Sequence, residues 1–288
     1  MLGMEIIGNG FLARHLRSID DAHPEVTILA AGVSLWKNSD SDYERETALV
    51  DETIEKSLRQ DRTLVFLSTA SMSMYGGAGC RGREDEPVEP VTPYGWHKLA
   101  LERRVQDSGV RHLILRLGYV VGPHVPANRL IPSLIEQIRS DNLTMYRSAR
   151  RDIIDITDWI KVIDLLLATG TTQEVVNVAT GESVPIALIV DHLEMRLGIT
   201  ARRQIIDEGT SHHICVEKLR RLVPAVADMG FGPGYHRVVI DRYLEATSQL
   251  GNATPEPSGS PGSPEPAGPA GSAGSAGSQH AGPASGRA

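Results

Sequence analysis

The hexapeptide Gly8-Asn9-Gly10-Phe11-Leu12-Ala13 lies between a short apolar run, Met4 to Ile7, and a segment that puts Leu12, His15, Leu16 and Ile19 at helical spacing. A strand that turns through glycines directly into a helix restricts a chain to a small set of α/β arrangements. Gly8 makes the tight turn, Gly10 lets another group approach the backbone, and Ala13 keeps the helix close to the strand. The first turn of the helix leaves N–H donors unpaired at the positive end of its dipole. Strand, Gly-x-Gly-x-x-Ala and helix are therefore the parts that hold a dinucleotide pyrophosphate. A glycine turn needs no ligand, so position in the chain must decide.

The rest of the chain supplies that context. Val26 to Ala31 is an apolar strand, Tyr43 to Leu58 a helix with Leu49, Val50, Thr53 and Ile54 on one side, and Thr63 to Leu67 a fully buried strand bounded by Ser68 and Thr69. Pro93 opens a helix carrying Tyr94 to Val105, and His112 to Leu117 is another buried strand. Strands alternating with helices predict a Rossmann-type parallel sheet with helices on both faces and a ligand crevice beyond the strand carboxyl ends. After Pro123 come a helix around Leu130 to Arg139, a strand Leu143 to Tyr146 and the run Asp152 to Ile156. Thr157 is the expected N-cap of a helix Asp158 to Ala168. Further helices are expected over Ile186 to Leu197, Val216 to Leu222 and Arg237 to Leu250. The predicted organisation is a dinucleotide-binding core over 1–122, continued by parts of 150–180, a smaller substrate lobe over 123–250 and a disordered Gly/Pro/Ser/Ala tail over 251–288.

Composition narrows the function. With 288 residues, 41% of them hydrophobic, the chain can bury an active site. A formal net charge of -7 argues against a phosphate-backbone binder, so no nucleic-acid partner is expected. Arg103-Arg104 beside Glu102 and Asp107 reads as a solvated face. Cys80 and Cys215 fit no metal-ligand spacing, so no metal is expected and free thiols in a reducing cytosol are. The start of the chain has no basic flank, and nowhere do about 18 apolar residues run together, which predicts a cytoplasmic protein without membrane insertion.

Tyr94 and Lys98 are one helical turn apart, so both project from one face. A cation beside a phenol stabilises the phenolate and lowers its pKa, letting tyrosine exchange a proton with an alcohol or carbonyl. A third member is expected from Ser71-Met72-Ser73-Met74-Tyr75-Gly76, just after a strand end, where a hydroxyl can hold a carbonyl oxygen. From the residues alone, Ser71 and Ser73 are both candidates. One expected part is missing: an acid about 20 residues beyond the glycine loop should end the second strand. That strand closes on Leu29-Ala30-Ala31-Gly32-Val33, with neither an acid for a ribose nor an arginine for a 2′-phosphate. The adenosine half of the site is expected to be abbreviated.

These residues resemble the extended short-chain dehydrogenase/reductase superfamily, in its branch of sugar-nucleotide epimerases, dehydratases and ketoreductases. The resemblance runs from Met4 to Tyr243 and is carried by Gly8 to Ala13, Ala30-Ala31, Ser71 to Gly76, the Pro87 to Pro93 loop and Tyr94-Gly95-Trp96-His97-Lys98. It continues through Leu115-Arg116-Leu117-Gly118, Gly122-Pro123 and Arg151-Asp152-Ile153-Ile154-Asp155-Ile156-Thr157-Asp158. It implies Ser71 as the catalytic hydroxyl beside Tyr94 and Lys98, with Ser73 and Arg151 on the substrate side. Arg151 would anchor a nucleotide diphosphate rather than pair at the surface with Asp152. NAD or NADP, not distinguished, would be held by Gly8, Asn9, Gly10, Phe11, Leu12, Ala13, Ala30, Ala31, Tyr94 and Lys98. Met72-Ser73 stands where the family's dehydratases carry an acidic pair, which disfavours water elimination. An asparagine the family often places in the helix after the second strand is not visible near Leu49, and an early strand-helix-strand segment looks deleted.

The expected function is an NAD(P)-dependent oxidoreductase or epimerase acting on a nucleotide-activated keto- or deoxy-sugar. The alternatives are a ketoreductase of a secondary metabolite and a non-catalytic NAD(P)-binding sensor or scaffold. A small-molecule substrate and a homodimer through the helices around Tyr43 to Leu58 and Tyr94 to Val105 are the expected partners. His97, His212 and His213 are expected to be packing or surface residues.

Overall fold

The structure is a computed structural model and describes residues 3–33, 38–77, 79–209 and 211–251. The tail expected to be disordered lies almost entirely outside the described residues. In chain order the elements begin β1 (Glu5–Ile7), α1 (Phe11–Leu16), β2 (Val26–Leu29), α2 (Asp40–Gln60), β3 (Thr63–Thr69), α3 (Met72–Tyr75), α4 (Pro93–Asp107) and β4 (His112–Leu117). They continue with β5 (Tyr119–Val121), α5 (Leu130–Arg139), β6 (Leu143–Tyr146), β7 (Arg150–Arg151), β8 (Ile153–Asp155), α6 (Ile156–Ala168) and β9 (Glu174–Val178). The last are β10 (Val184–Pro185), α7 (Ile186–Leu197), β11 (Arg203–Ile206), α8 (Glu217–Leu222) and α9 (Tyr235–Gly251).

The central sheet has the order β1-β2-β3-β4-β9 with every neighbouring pair parallel, the expected α/β architecture. Every residue of β2, β3 and β4 is buried, which explains why these strands read as continuous apolar runs rather than alternations. Alternation persists in where the side chains go. Val65 and Leu67 face one layer with Trp159, Val162 and Leu166 of α6, whereas Leu64 and Phe66 face Val50 and Ile54 of α2 and Leu101 and Val105 of α4. Each such apolar side chain contributes roughly 1.5–3 kcal/mol on burial. A second cluster joins Leu134 and Ile138 of α5, Leu143 of β6, Leu193 of α7 and Val239 of α9 beside the sheet.

β1 is the outermost strand: within the sheet it pairs only with β2, and its three residues are half-buried. In the doubly wound arrangement the glycine-loop strand has neighbours on both sides. Here the half of the sheet that would extend beyond it is absent among the described residues, as the shortened early region implied.

Several boundaries differ from expectation for identifiable reasons. α1 ends at Leu16 and continues as a tighter turn over Arg17–Ala22, bringing the Asp20 carbonyl to the backbone N–H of Met4 at 2.5 Å. α2 starts three residues earlier than Tyr43, because Ser39 and Asp42 form a capping box with side-chain bonds of 3.3 and 3.0 Å. The N-cap of α6 is Asp155 and not Thr157: its carboxylate accepts from the Thr157 backbone N–H at 3.0 Å. Glu102, read as part of a solvated face, is buried with Arg116, which it meets at 2.7 Å. Arg104 does lie at the surface, paired with Asp51.

Candidate active site

A cleft of about 550 Å³ opens beyond the carboxyl ends of the strands, lined by Asn9 to Leu12 after β1, Leu29 to Val33 after β2, Leu67 to Thr69 of β3 and Leu117 to Val121 after β4. The lining continues with Arg129, Thr144, Tyr146 and Arg151, close in the chain to residues of the second cluster. Ser71, Ser73, Tyr94, Lys98, Arg151, Ala30 and Ala31 all line this one cleft, with Asn9, Gly10, Phe11 and Leu12. Ala13, in the first turn of α1, is fully buried and does not line the cleft.

The glycine loop has the local geometry its sequence requires. Gly8 has φ +131°, and a Cβ there would lie 2.7 Å from the Ala30 carbonyl oxygen, so the loop after β1 and the end of β2 touch backbone to backbone. A Cβ on Gly10 would meet nothing within 4 Å, so the second glycine faces open space.

The other wall is a set of hydroxyls and one cation. Ser71 N-caps α3; its Oγ accepts from Thr69 Oγ1 at 2.9 Å, and its N–H donates to the same Thr69 oxygen at 3.1 Å. The Tyr94 phenol also engages Thr69. Thr69, read in the sequence only as the polar boundary of a strand, thus joins the two catalytic candidates. Ser73 is buried; its carbonyl accepts from Val91 N–H at 3.0 Å and stands 2.1 Å from where a Cβ on Gly95 would be. Only glycine at position 95 lets α4 seat this close to the Ser71–Tyr75 segment. α4 itself starts sharply, with Pro93 in its first turn and Thr92 accepting from Gly95 N–H at 3.1 Å.

Lys98 is buried on the next turn of α4, its Nζ 2.7 Å from Glu46 Oε1 and 3.3 Å from the Leu67 carbonyl oxygen. Burial would lower its pKa, but Tyr94 and Glu46 outweigh burial and hold the ammonium above the ordinary lysine value. The Tyr94 phenol departs from expectation. Burial pushes it up and Glu46 adds to this, while Lys98, Arg129 and the Thr69 hydroxyl only partly oppose the rise. The lysine beside it does not win in this geometry, and the phenol remains protonated well above neutral pH.

Arg151 stacks 5.4 Å from the Tyr119 ring and donates from Nη1 to the Arg150 carbonyl at 2.7 Å. Among the described residues it makes no carboxylate ion pair. Asp152, its alternative surface partner, instead accepts from Thr180 N–H and Oγ1 at 3.0 and 2.8 Å and from Gly181 N–H at 2.8 Å. His213 is exposed, whereas His212 is buried beside a second cavity, and burial and Arg151 together push its pKa down to about 4.

A buried polar network holds the site in place. Arg116 bridges Glu102 and, at 2.8 Å, the Tyr75 hydroxyl, which donates to Asn177 Oδ1 at 2.8 Å; Asn177 N–H in turn donates to Glu84 at 2.8 Å. Removing one partner of such a buried ion pair typically destabilises by about 3–5 kcal/mol.

A parallel sheet of this order, with Ser71 just after β3 and Tyr94 and Lys98 on α4 lining one cleft beyond the strand ends, is a Rossmann-type arrangement. Residues 13–179 match the sequence model of the NAD dependent epimerase/dehydratase family, and the chain belongs to that family. It is 28% identical over 207 residues to a dTDP-6-deoxy-L-talose 4-dehydrogenase (NAD(P)(+)) of Kitasatospora kifunensis, covering 67% of this chain and 65% of the relative. It is 26% identical over 199 residues to an uncharacterized UDP-glucose epimerase, YtcB, of Bacillus subtilis (strain 168), covering 65% and 63%. The chain thus spans just under two thirds of these relatives. The solved structure of MoeE5 in complex with UDP-glucuronic acid and NAD superimposes with a TM-score of 0.72 at 18% identity, over 86% of this chain and 99% of that one. Among the described residues no helix is long and apolar enough to cross a membrane, and no cluster of His, Cys, Asp and Glu has metal-binding geometry.

Proposed function

We propose that the chain is an NAD(P)-dependent oxidoreductase or epimerase that acts on a nucleotide-activated keto- or deoxy-sugar. The observation carrying this reading is that Ser71, Tyr94, Lys98 and Arg151 all line one cleft. The residues fit a dinucleotide at the loop end: Gly8 leaves the backbone tightly folded on Ala30 and Gly10 leaves open space above it. NAD or NADP supplies or accepts hydride at a sugar carbon. In the reducing direction Ser71 Oγ donates a hydrogen bond to the carbonyl oxygen, and the Tyr94 phenol gives that oxygen its proton as the C–O bond becomes single. Lys98 stabilises the phenolate that remains and restores its proton. A phenol that stays protonated at neutral pH is the form this direction needs. Arg151 presents a planar fork of donors for a diphosphate, with Ser73 nearer the reacting carbon and residues 123–250 contributing the covering lobe. A homodimer through α2 and α4 belongs to the same reading.

The placement of β1 at the sheet edge favours one competing reading, a cofactor-binding sensor without turnover. Oxidation of NADH and NADPH with nucleotide-linked keto-sugars and with free ketones separates the possibilities. The expected outcome is turnover of a nucleotide-linked sugar. Turnover of free ketones alone would make the chain a secondary-metabolite ketoreductase, and calorimetric cofactor binding with no turnover of any ketone would make it a sensor.

A further inference from the structure

Glu46 does not line the cleft, yet it is among the most buried charges in the molecule at 2% exposure. It lies on the buried stripe of α2 with Val50, Thr53, Ile54 and Ser57, where an apolar residue is expected. Its two oxygens are divided between neighbours on α4: Oε1 lies 2.7 Å from Lys98 Nζ and Oε2 lies 3.0 Å from His97 Nε2. The His97 ring is braced from the other side by Tyr43 of α2, at 4.4 Å between centroids. Above the carboxylate sits Gly32, with φ +149°; a Cβ there would lie 2.1 Å from Glu46 Oε1. Glycine at position 32 suits this positive φ and leaves the carboxylate in place, where a Cβ would push it aside.

We propose that Glu46 is the positioning residue of Lys98: it holds the buried ammonium charged and aims its remaining donor into the cleft. An ammonium has three N–H donors, and the Glu46 carboxylate and the Leu67 carbonyl take two. The third remains for the cleft, which Lys98 lines beside Tyr94. Without the Glu46 charge the balance at Lys98 shifts toward the neutral amine that burial favours, which neither stabilises a phenolate nor returns a proton to it. The other titratable groups acting on Lys98 are Tyr94 and Glu102 of the same helix; Arg129 acts on Tyr94. Neither Glu102, committed to Arg116 and Ser68, nor Arg129, itself a cation, can substitute for Glu46. His97 is the second support: its bond to Oε2 orients the carboxylate, and its own ring is nearly buried, with a side-chain exposure of 12%.

This inference rests on the reading of Lys98 as the cation of the proton relay, but its first test needs no substrate. The chain has five lysines, Lys37, Lys56, Lys98, Lys161 and Lys218, so lysine side-chain NMR with Lys98→Arg for assignment gives a resolved titration of each. In the intact protein Lys98 is expected to titrate above the ordinary value of about 10.4. In Glu46→Gln it is expected to fall by about one unit or more while the other four lysines do not move. The alkaline limb of any turnover falls with it, whereas His97→Gln gives a smaller shift in the same direction. A Lys98 that titrates below the ordinary value in the intact protein overturns the proposal even where the variant does not fold, and so does one unmoved by Glu46→Gln. If Lys98 behaves as expected but no keto-sugar is turned over, the functional reading fails and the Glu46 assignment stands.

Discussion

The two ends of the cleft are built on opposite principles. At the hydroxyl and ammonium end, Ser71, Tyr94 and Lys98 hang from β3 and α4, in the middle of the sheet, and are tied to Thr69, Glu46 and the Arg116–Glu102–Tyr75 network. At the glycine-loop end, Asn9 to Leu12 follow an outermost strand of three half-buried residues. One end is over-determined by buried charge, the other held by backbone contact with a single neighbouring strand. The groups of the proposed proton relay lie just after β3 or on α4, so the proposed chemistry depends on the central strands and not on β1.

The largest test of this contrast is Tyr94→Phe. It should reduce turnover by about 10²–10⁴-fold with cofactor affinity, measured by fluorescence quenching, almost unchanged; a parallel loss of affinity would mean that the two ends are not separable. A smaller effect is expected for Gly8→Ala, whose Cβ meets the Ala30 carbonyl in a backbone region L residues avoid. Strain of about 1–3 kcal/mol should appear as weaker cofactor binding and a lower denaturation midpoint, with the Lys98 titration unmoved. The smallest effect concerns the far adenosine end. Because β2 closes on Ala30-Ala31-Gly32-Val33 without acid or arginine, dissociation constants for NADH and NADPH should differ by less than about tenfold, under 1.4 kcal/mol. A hundredfold preference would place an adenosine-reading group where the described residues show none.

Much of this was legible in the sequence because the central strands are continuous apolar runs and their turns are marked by Gly, Pro and Ser. Tyr94 and Lys98 were visible because helical spacing is local. Glu46 and Thr69 were not singled out as site residues and Glu102 was read as part of a solvated face, for a common reason: each acts through a partner on another element, such as Lys98, which is 52 residues beyond Glu46. A signal was nevertheless present, since Glu46 and Glu102 both fall on the buried stripe of a helix, where a carboxylate must be paired to stay. The pKa of Tyr94 could not be read at all. Its sign depends on how burial and Glu46 weigh against Lys98, Arg129 and Thr69, and that balance exists only in three dimensions.

The seat of α4 on the Ser73 carbonyl, where Gly95 leaves room for nothing but hydrogen, bears on how such a protein can change over evolutionary time. The spacing between the phenol and the serine hydroxyl is inherited from two backbones in contact, not from a side chain that a neighbouring substitution could tilt. On the proposed reading, cleft residues such as Thr144 and Tyr146 can therefore drift while Ser71 and Tyr94 keep their alignment. A lineage built on this seat can diversify its chemistry of recognition without having to reinvent its chemistry of reaction.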